Sequence, residues 1–138
     1  MPFAKAGLWA IDTASGKSTF LTLADGGHGQ QPVWNRDSAE LYLVKRDNLD
    51  DDKADYDASA LVSSIHAVRV ADRAERELAP SGGARQVDLA LTPNGDLVFA
   101  SNQGSISEIW AVSAGGVVPR HGRLLGLGQS KSREFVWP

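Results

Sequence analysis

The chain repeats itself, and that limits its possible folds more than any other feature. Three short segments share one pattern of an aliphatic residue, a ring, Ala, a β-branched aliphatic and a polar residue: LWAID from Leu8, IHAVR from Ile65 and IWAVS from Ile109. The first two lie 57 residues apart and the last two 44. Other positions keep the longer frame: Leu21 with Leu78, Trp34 with Leu91, and Gly26 with Gly83. The two spacings differ for a visible reason. Lys45 and Ile65 are joined by RDNLDDDKADYDASALVSS, whereas Ser101 and Ile109 are joined by NQGSISE. One further residue is gained between Trp34 and Leu41 relative to Leu91 and Leu97. The underlying unit is therefore about 44 residues, with an acidic insertion at 46–63.

Each unit holds four short strand candidates separated by turn residues. In the middle unit these fall at 31–34, 40–45, 64–70 and 75–79, and in the next at 86–91, 96–101, 108–113 and 117–120. Pro93-Asn94-Gly95 joins two of them, and Asn and Gly tolerate the positive φ that a tight hairpin demands. DTASGK at 12–17 does the same between the strands expected at 7–12 and 18–22. No amphipathic helical pattern of useful length occurs. Four strands in about 44 residues is the blade of a β-propeller. The expected fold is all-β, a partial propeller of about two and a half four-stranded antiparallel blades. Its parts are a part blade at 7–22, a blade at 31–79 carrying the insertion, a blade at 86–120 and the start of another at 134–138. Two complete blades do not close a ring, so a segment of a larger assembly is expected. Open blade edges and apolar blade faces, with Leu8, Ile11, Phe135 and Val136 contributing, predict self-association.

Composition narrows the partners. The net charge of −3 gives no concentrated basic surface, which argues against nucleic acid. No apolar run reaches the ~18 residues of a membrane-spanning helix. The first twelve residues lack the basic-then-apolar order of a secretory signal. Zero cysteines exclude disulfides and thiolate metal sites, and leave the cellular compartment unread.

The repeat carries a resemblance. Leu91-Thr92-Pro93-Asn94-Gly95, with Leu97, Phe99 and Ser101 after it, is similar to the motif Trp-Ser-Pro-Asp-Gly followed by alternating apolar strand residues. Trp34-Asn35-Arg36-Asp37-Ser38 with Leu41 and Leu43 is a looser version, in which Ser38 replaces the turn Gly and Arg36 the Pro. LWAIDTASGKSTFL at 8–21 is similar to the strand–turn–strand that follows. These marks resemble the WD-like propeller repeat of TolB-type proteins, seen also in the propeller that caps prolyl-oligopeptidase-type serine peptidases. The resemblance implies a repeat architecture rather than one family.

Several residue groups suggest chemistry and are outweighed by plainer readings. Gly16-Lys17-Ser18-Thr19 ends like a phosphate-binding loop, but Ile11 stands where that loop needs Gly, and no helix follows. The glycines of GRLLGLGQ at 122–129 do not form a dinucleotide fingerprint. No G-x-S-x-G nucleophile elbow is present. His28, His66 and His121 have no zinc spacing, and His66, at the ring position of the repeat, reads as a packing residue. Trp9, Trp34, Trp110 and Trp137 could stack on a sugar or base, but their repeat-locked places favour packing. The six aspartates of the insertion, at 47, 50, 51, 52, 55 and 57, could gather Ca²⁺, yet they lack the spacing and the Gly of a Ca²⁺ loop. No catalytic residue, metal ligand or cofactor is assigned.

In a four-stranded meander the loops after the second and fourth strands leave from the same end. Here those are the insertion and 24–31, 80–85, 102–107 and 121–133, the long loops of the chain. Loops on a rigid scaffold are where binding concentrates. His28, Arg46, Asp50 and Arg85 are accordingly the candidate ligand-binding residues. The expected function is a non-catalytic module that binds a protein or small ligand through this end. The alternatives are the propeller portion of a prolyl-oligopeptidase-like hydrolase with its catalytic domain outside this chain, and a propeller enzyme with its own metal site.

Overall fold

The computed structural model describes residues 6–24, 31–47, 61–102 and 108–113. Their regular structure is entirely β: β1 (Ala6–Ile11), β2 (Ser18–Ala24), β3 (Val33–Trp34), β4 (Glu40–Arg46), β5 (Ser63–Arg69), β6 (Glu75–Ala79), β7 (Gln86–Leu91), β8 (Leu97–Ser101) and β9 (Glu108–Val112). Three antiparallel sheets result, each a meander of sequence neighbours. Sheet one is β1-β2, sheet two β3-β4-β5-β6 and sheet three β7-β8-β9. The strands expected at 117–120 and 134–137 lie outside the described residues.

The repeat extends into fine geometry. Leu8 pairs with Thr22 and Trp9 with Phe20, so Leu21 is an extra residue in β2. Ile65 pairs with Ala79 and His66 with Glu77, so Leu78 is an extra residue in β6. These two bulges stand at the same place in the 57-residue frame. In each the unpaired leucine is buried in the core. A bulge re-aims one side chain without ending the ladder, and here it turns a leucine inward.

The turns follow from their residues. In 12–17 the Asp12 carboxylate accepts from the amides of Ala14 (2.8 Å) and Ser15 (3.0 Å), and Gly16 takes φ 71°. The phosphate-loop look-alike is thus a hairpin turn. At 92–95 Gly95 reaches φ 90° and donates its N–H to Thr92 O (2.9 Å). The matching turn of sheet two is built the same way, with Ser38 donating to Asn35 O (3.1 Å) at φ 59°. Ser38 thus adopts the left-handed conformation that suits Gly, at a steric cost of about 1–2 kcal/mol. The extra residue read from the sequence is Ala39, whose N–H is held by Asn35 Oδ1 (2.9 Å).

The sheets stack through two apolar clusters. Alternate residues of a strand face opposite sides. Leu41, Leu43 and Val68 of sheet two meet Leu21, Leu8 and Ala10 of sheet one. Tyr42, Val44, Ile65 and Ala67 meet Leu97, Phe99, Val112 and Trp110 of sheet three. Sheet two is therefore covered on both faces, which is why ELYLVKR in β4 carries an unbroken apolar run. β1 has one face covered, and its exposure alternates residue by residue.

Two of the tryptophans depart from the packing expectation, and Trp137 lies outside the described residues. Trp110 is partly buried against sheet three's core, but Trp9 is 55% and Trp34 47% exposed. Trp9 sits on the face of sheet one that points away from sheet two, where it packs edge-to-face with the Phe20 ring, with ring centroids 5.3 Å apart. No helix among the described residues is long and apolar enough to cross a membrane.

Candidate functional site

Two polar regions remain once the apolar clusters are accounted for. The first is the end of the stack from which the long loops leave. Here the rims of loops from sheets two and three are tied together. Asp47 N–H donates to Val62 O (2.8 Å), closing the base of the insertion. Ser63 N–H donates to Ala84 O (3.0 Å), and Ser63 Oγ donates to Gln86 O (2.7 Å) while accepting from Gln86 N (2.8 Å). Arg85 N–H donates to Asn102 Oδ1 (2.7 Å), and Asn102 N–H donates to Arg85 O (3.2 Å). The positive φ of Gly82 (57°) and Gly83 (82°) turns the 80–85 loop back onto Ser63.

Two of the four candidate ligand residues fall in this rim. Arg46 closes β4 opposite Ser63 and is only 4% exposed, so it is part of the rim's foundation rather than a free loop cation. Arg85 is partly exposed beside it. His28 and Asp50 lie outside the described residues, as do all aspartates of the insertion except Asp47. Gln86 was not singled out by sequence reasoning. Its Nε2 donates to Pro80 O (2.9 Å), which fixes the amide's orientation, and its buried Oε1 finds no donor. A buried acceptor left unmet costs about 1–3 kcal/mol.

The second region lies on the face of sheet two that meets sheet one. Ser64, His66 and Val68 alternate along this face, with Lys45 and Glu75 on the neighbouring strands. Glu75 Oε1 takes the Lys45 ammonium (2.6 Å) and Oε2 takes the Thr22 hydroxyl of sheet one (2.6 Å). His66 Nδ1 is 2.9 Å from the same Glu75 Oε1, off a hydrogen bond's line, and Nε2 is 2.9 Å from Ser64 Oγ. Burial holds the imidazole below its ordinary 6.5 despite the Glu75 carboxylate, because Lys45 already neutralises that oxygen. Burial pushes Glu75 up, but the Lys45 and Thr22 hydrogen bonds outweigh it and leave the carboxyl below its ordinary 4.5. His66 is thus an interface residue, as its place in the repeat suggested, but held by charge and hydrogen bonds rather than by ring packing.

Ser64, His66 and Glu75 have the spacing of a nucleophilic triad, and two observations remove that reading. Ser64 is 1% exposed, so no acyl carbon reaches its oxygen. Its single proton goes to Asp47 Oδ1 (2.7 Å), a carboxylate and the stronger acceptor, and so points away from the imidazole. A nucleophile needs the reverse direction. The network is a polar clamp between sheets one and two. The signal for it was legible in part: Ser64-x-His66 places both side chains on one strand face. What the sequence lacked was the pairing that brings Lys45 and Glu75 to that face. The chain matches no family model and no curated protein.

Proposed function

We propose that this chain is a segment of a β-propeller with a TolB-like, WD-type repeat, and that it serves as a non-catalytic binding module working through its long-loop end. The propeller reading rests on the 57-residue frame, which joins equivalent strands, turns and bulges across sheets one and two. The binding reading rests on one observation above all. At the base of the tied rim, Gln86 Oε1 is a buried acceptor that finds no donor, an oxygen able to take an N–H or O–H from a ligand. Ser63 Oγ holds both the N–H and the C=O of Gln86, and the neighbouring Arg85 N–H is tied to Asn102. The occupant is a small polar molecule or a peptide with a donor group, received between the loop at 80–85 and Asn102.

The test is a peptide-display selection combined with a fragment screen, both read by amide chemical-shift changes. Binders should move residues 46–47, 61–63, 80–86 and 101–102, and Gln86→Leu should remove those shifts while keeping the melt. Binders that move only the hairpins at 12–17, 35–39 and 92–96 would overturn the assignment of the working end.

A further inference from the structure

The stack of sheets has direction. Each sheet offers its neighbours two different faces, and equivalent residues form them. Toward its predecessor, sheet three presents Trp110 and Val112, and sheet two presents His66 and Val68. Sheet one presents Trp9 and Ile11, joined by Phe20 and Leu23, to nothing described. Toward its successor, sheet two presents Tyr42, Val44, Ile65 and Ala67, all covered by sheet three. The equivalent residues of sheet three, by pairing and repeat position, are Val98, Ala100, Ile109 and Ala111. They are half-buried, uncharged and turned away from sheet two.

We infer that the two ends of this stack are complementary, and that the outer face of sheet one takes the far face of sheet three of a second copy, head to tail. Three observations carry this. Trp9-Ala10-Ile11 matches Trp110-Ala111-Val112 of the apolar interface, not the His66-containing clamp. The exposure of Trp9 (55%), Ile11 (66%), Phe20 (37%) and Leu23 (41%) on one face of a two-stranded sheet is an apolar patch of the kind that marks association surfaces. The patch is also pre-shaped. At Gly7 a Cβ would lie 2.8 Å from Trp9 Nε1 and 2.9 Å from Phe20 Cε2, so Gly lets both rings approach the β1 backbone closely. A heterologous contact of this type closes into a ring or extends as an open chain. The inference is independent of the ligand reading, since it uses faces and not loops.

The test is sedimentation velocity over a wide concentration range on the full chain. Wild type should associate with concentration. Trp9→Arg combined with Ile11→Arg blocks one end, and Ala111→Arg the other. Each variant alone should associate more than about tenfold less tightly. An equimolar mixture of the two should form a heterodimer, because each partner keeps one good face. A wild type that stays monomeric throughout overturns the proposal. So does an Ala111→Arg chain that associates as well as wild type, which would mean that sheet-one faces pair with each other. Should Ala111→Arg fail to fold, disulfide trapping in this cysteine-free chain decides instead. Trp9→Cys mixed with Ala111→Cys should cross-link faster than either alone, and equal or slower cross-linking overturns it.

Discussion

Between sheets two and three, Leu97, Phe99 and Val112 close on Tyr42, Val44, Ile65 and Ala67 with Trp110 alongside, and the cluster is apolar. Between sheets one and two the apolar cluster is smaller, with Leu21, Leu41, Leu43 and Val68 at its centre. There the remaining ground is occupied by Thr22, Lys45, His66 and Glu75. The strands involved are repeat equivalents, and two substitutions account for much of the difference. His66 stands where Trp110 stands, and Thr22 where Ala79 stands. The comparison teaches that one scaffold position serves packing in one interface and polar clamping in the next. Apolar burial is indifferent to pH, whereas the clamp depends on the charge states of its members.

The largest effect expected from this difference is in core deletions. Phe99→Ala should lose about 3–5 kcal/mol, since Phe99 is fully buried between two sheets. Leu43→Ala, in the smaller cluster, should lose about 2–3 kcal/mol. Urea denaturation of both variants checks the order, and a reversed order would break the comparison.

The next effect is pH dependence confined to the clamp. His66 is faced by Glu75, Glu77, Lys45 and Asp47, and burial keeps its folded pKa below 6.5. The unfolded chain therefore binds the proton more readily. Stability is intact above about 6.5 and is lost as pH falls from there through the depressed folded value. Glu75, held below 4.5, adds a second loss at more acid pH. His66→Phe should flatten the upper step and leave the lower one, as read by the urea midpoint against pH.

The smallest effect sharpens the comparison of turns. Gly95 and Ser38 occupy the same left-handed turn position in sheets three and two. Ser38→Gly should stabilise the protein by about 0.5–1 kcal/mol, relief of steric strain less the added chain entropy. Thermal melts suffice to detect it. Gly95→Ala should move stability the other way, since its Cβ would also lie 2.8 Å from Arg36 Cδ of the neighbouring turn.

Much of the fold was written locally. The recurring LWAID-type segments located β1, β5 and β9, and Gly16 and Gly95 located their turns, because hairpin geometry depends on the conformational freedom of single residues. The matched leucines Leu21 and Leu78 were visible as a register, although not as bulges. The end proposed to bind was legible only as loop length. Arg46 and Arg85 belong to it, but Gln86 emerged only when Ser63 and Pro80 were brought against it across sheets. The same holds for the clamp, in which Thr22, Lys45, His66 and Glu75 come from four strands of two sheets. By itself the sequence determined period, strands and turns, since these arise from interactions among near neighbours along the chain. Only the tertiary structure decided that a histidine shares its carboxylate with a lysine, and that Trp9 lies open while Trp110 is partly buried. Burial and charge pairing depend on what packs from a distant part of the chain, and no local pattern records that.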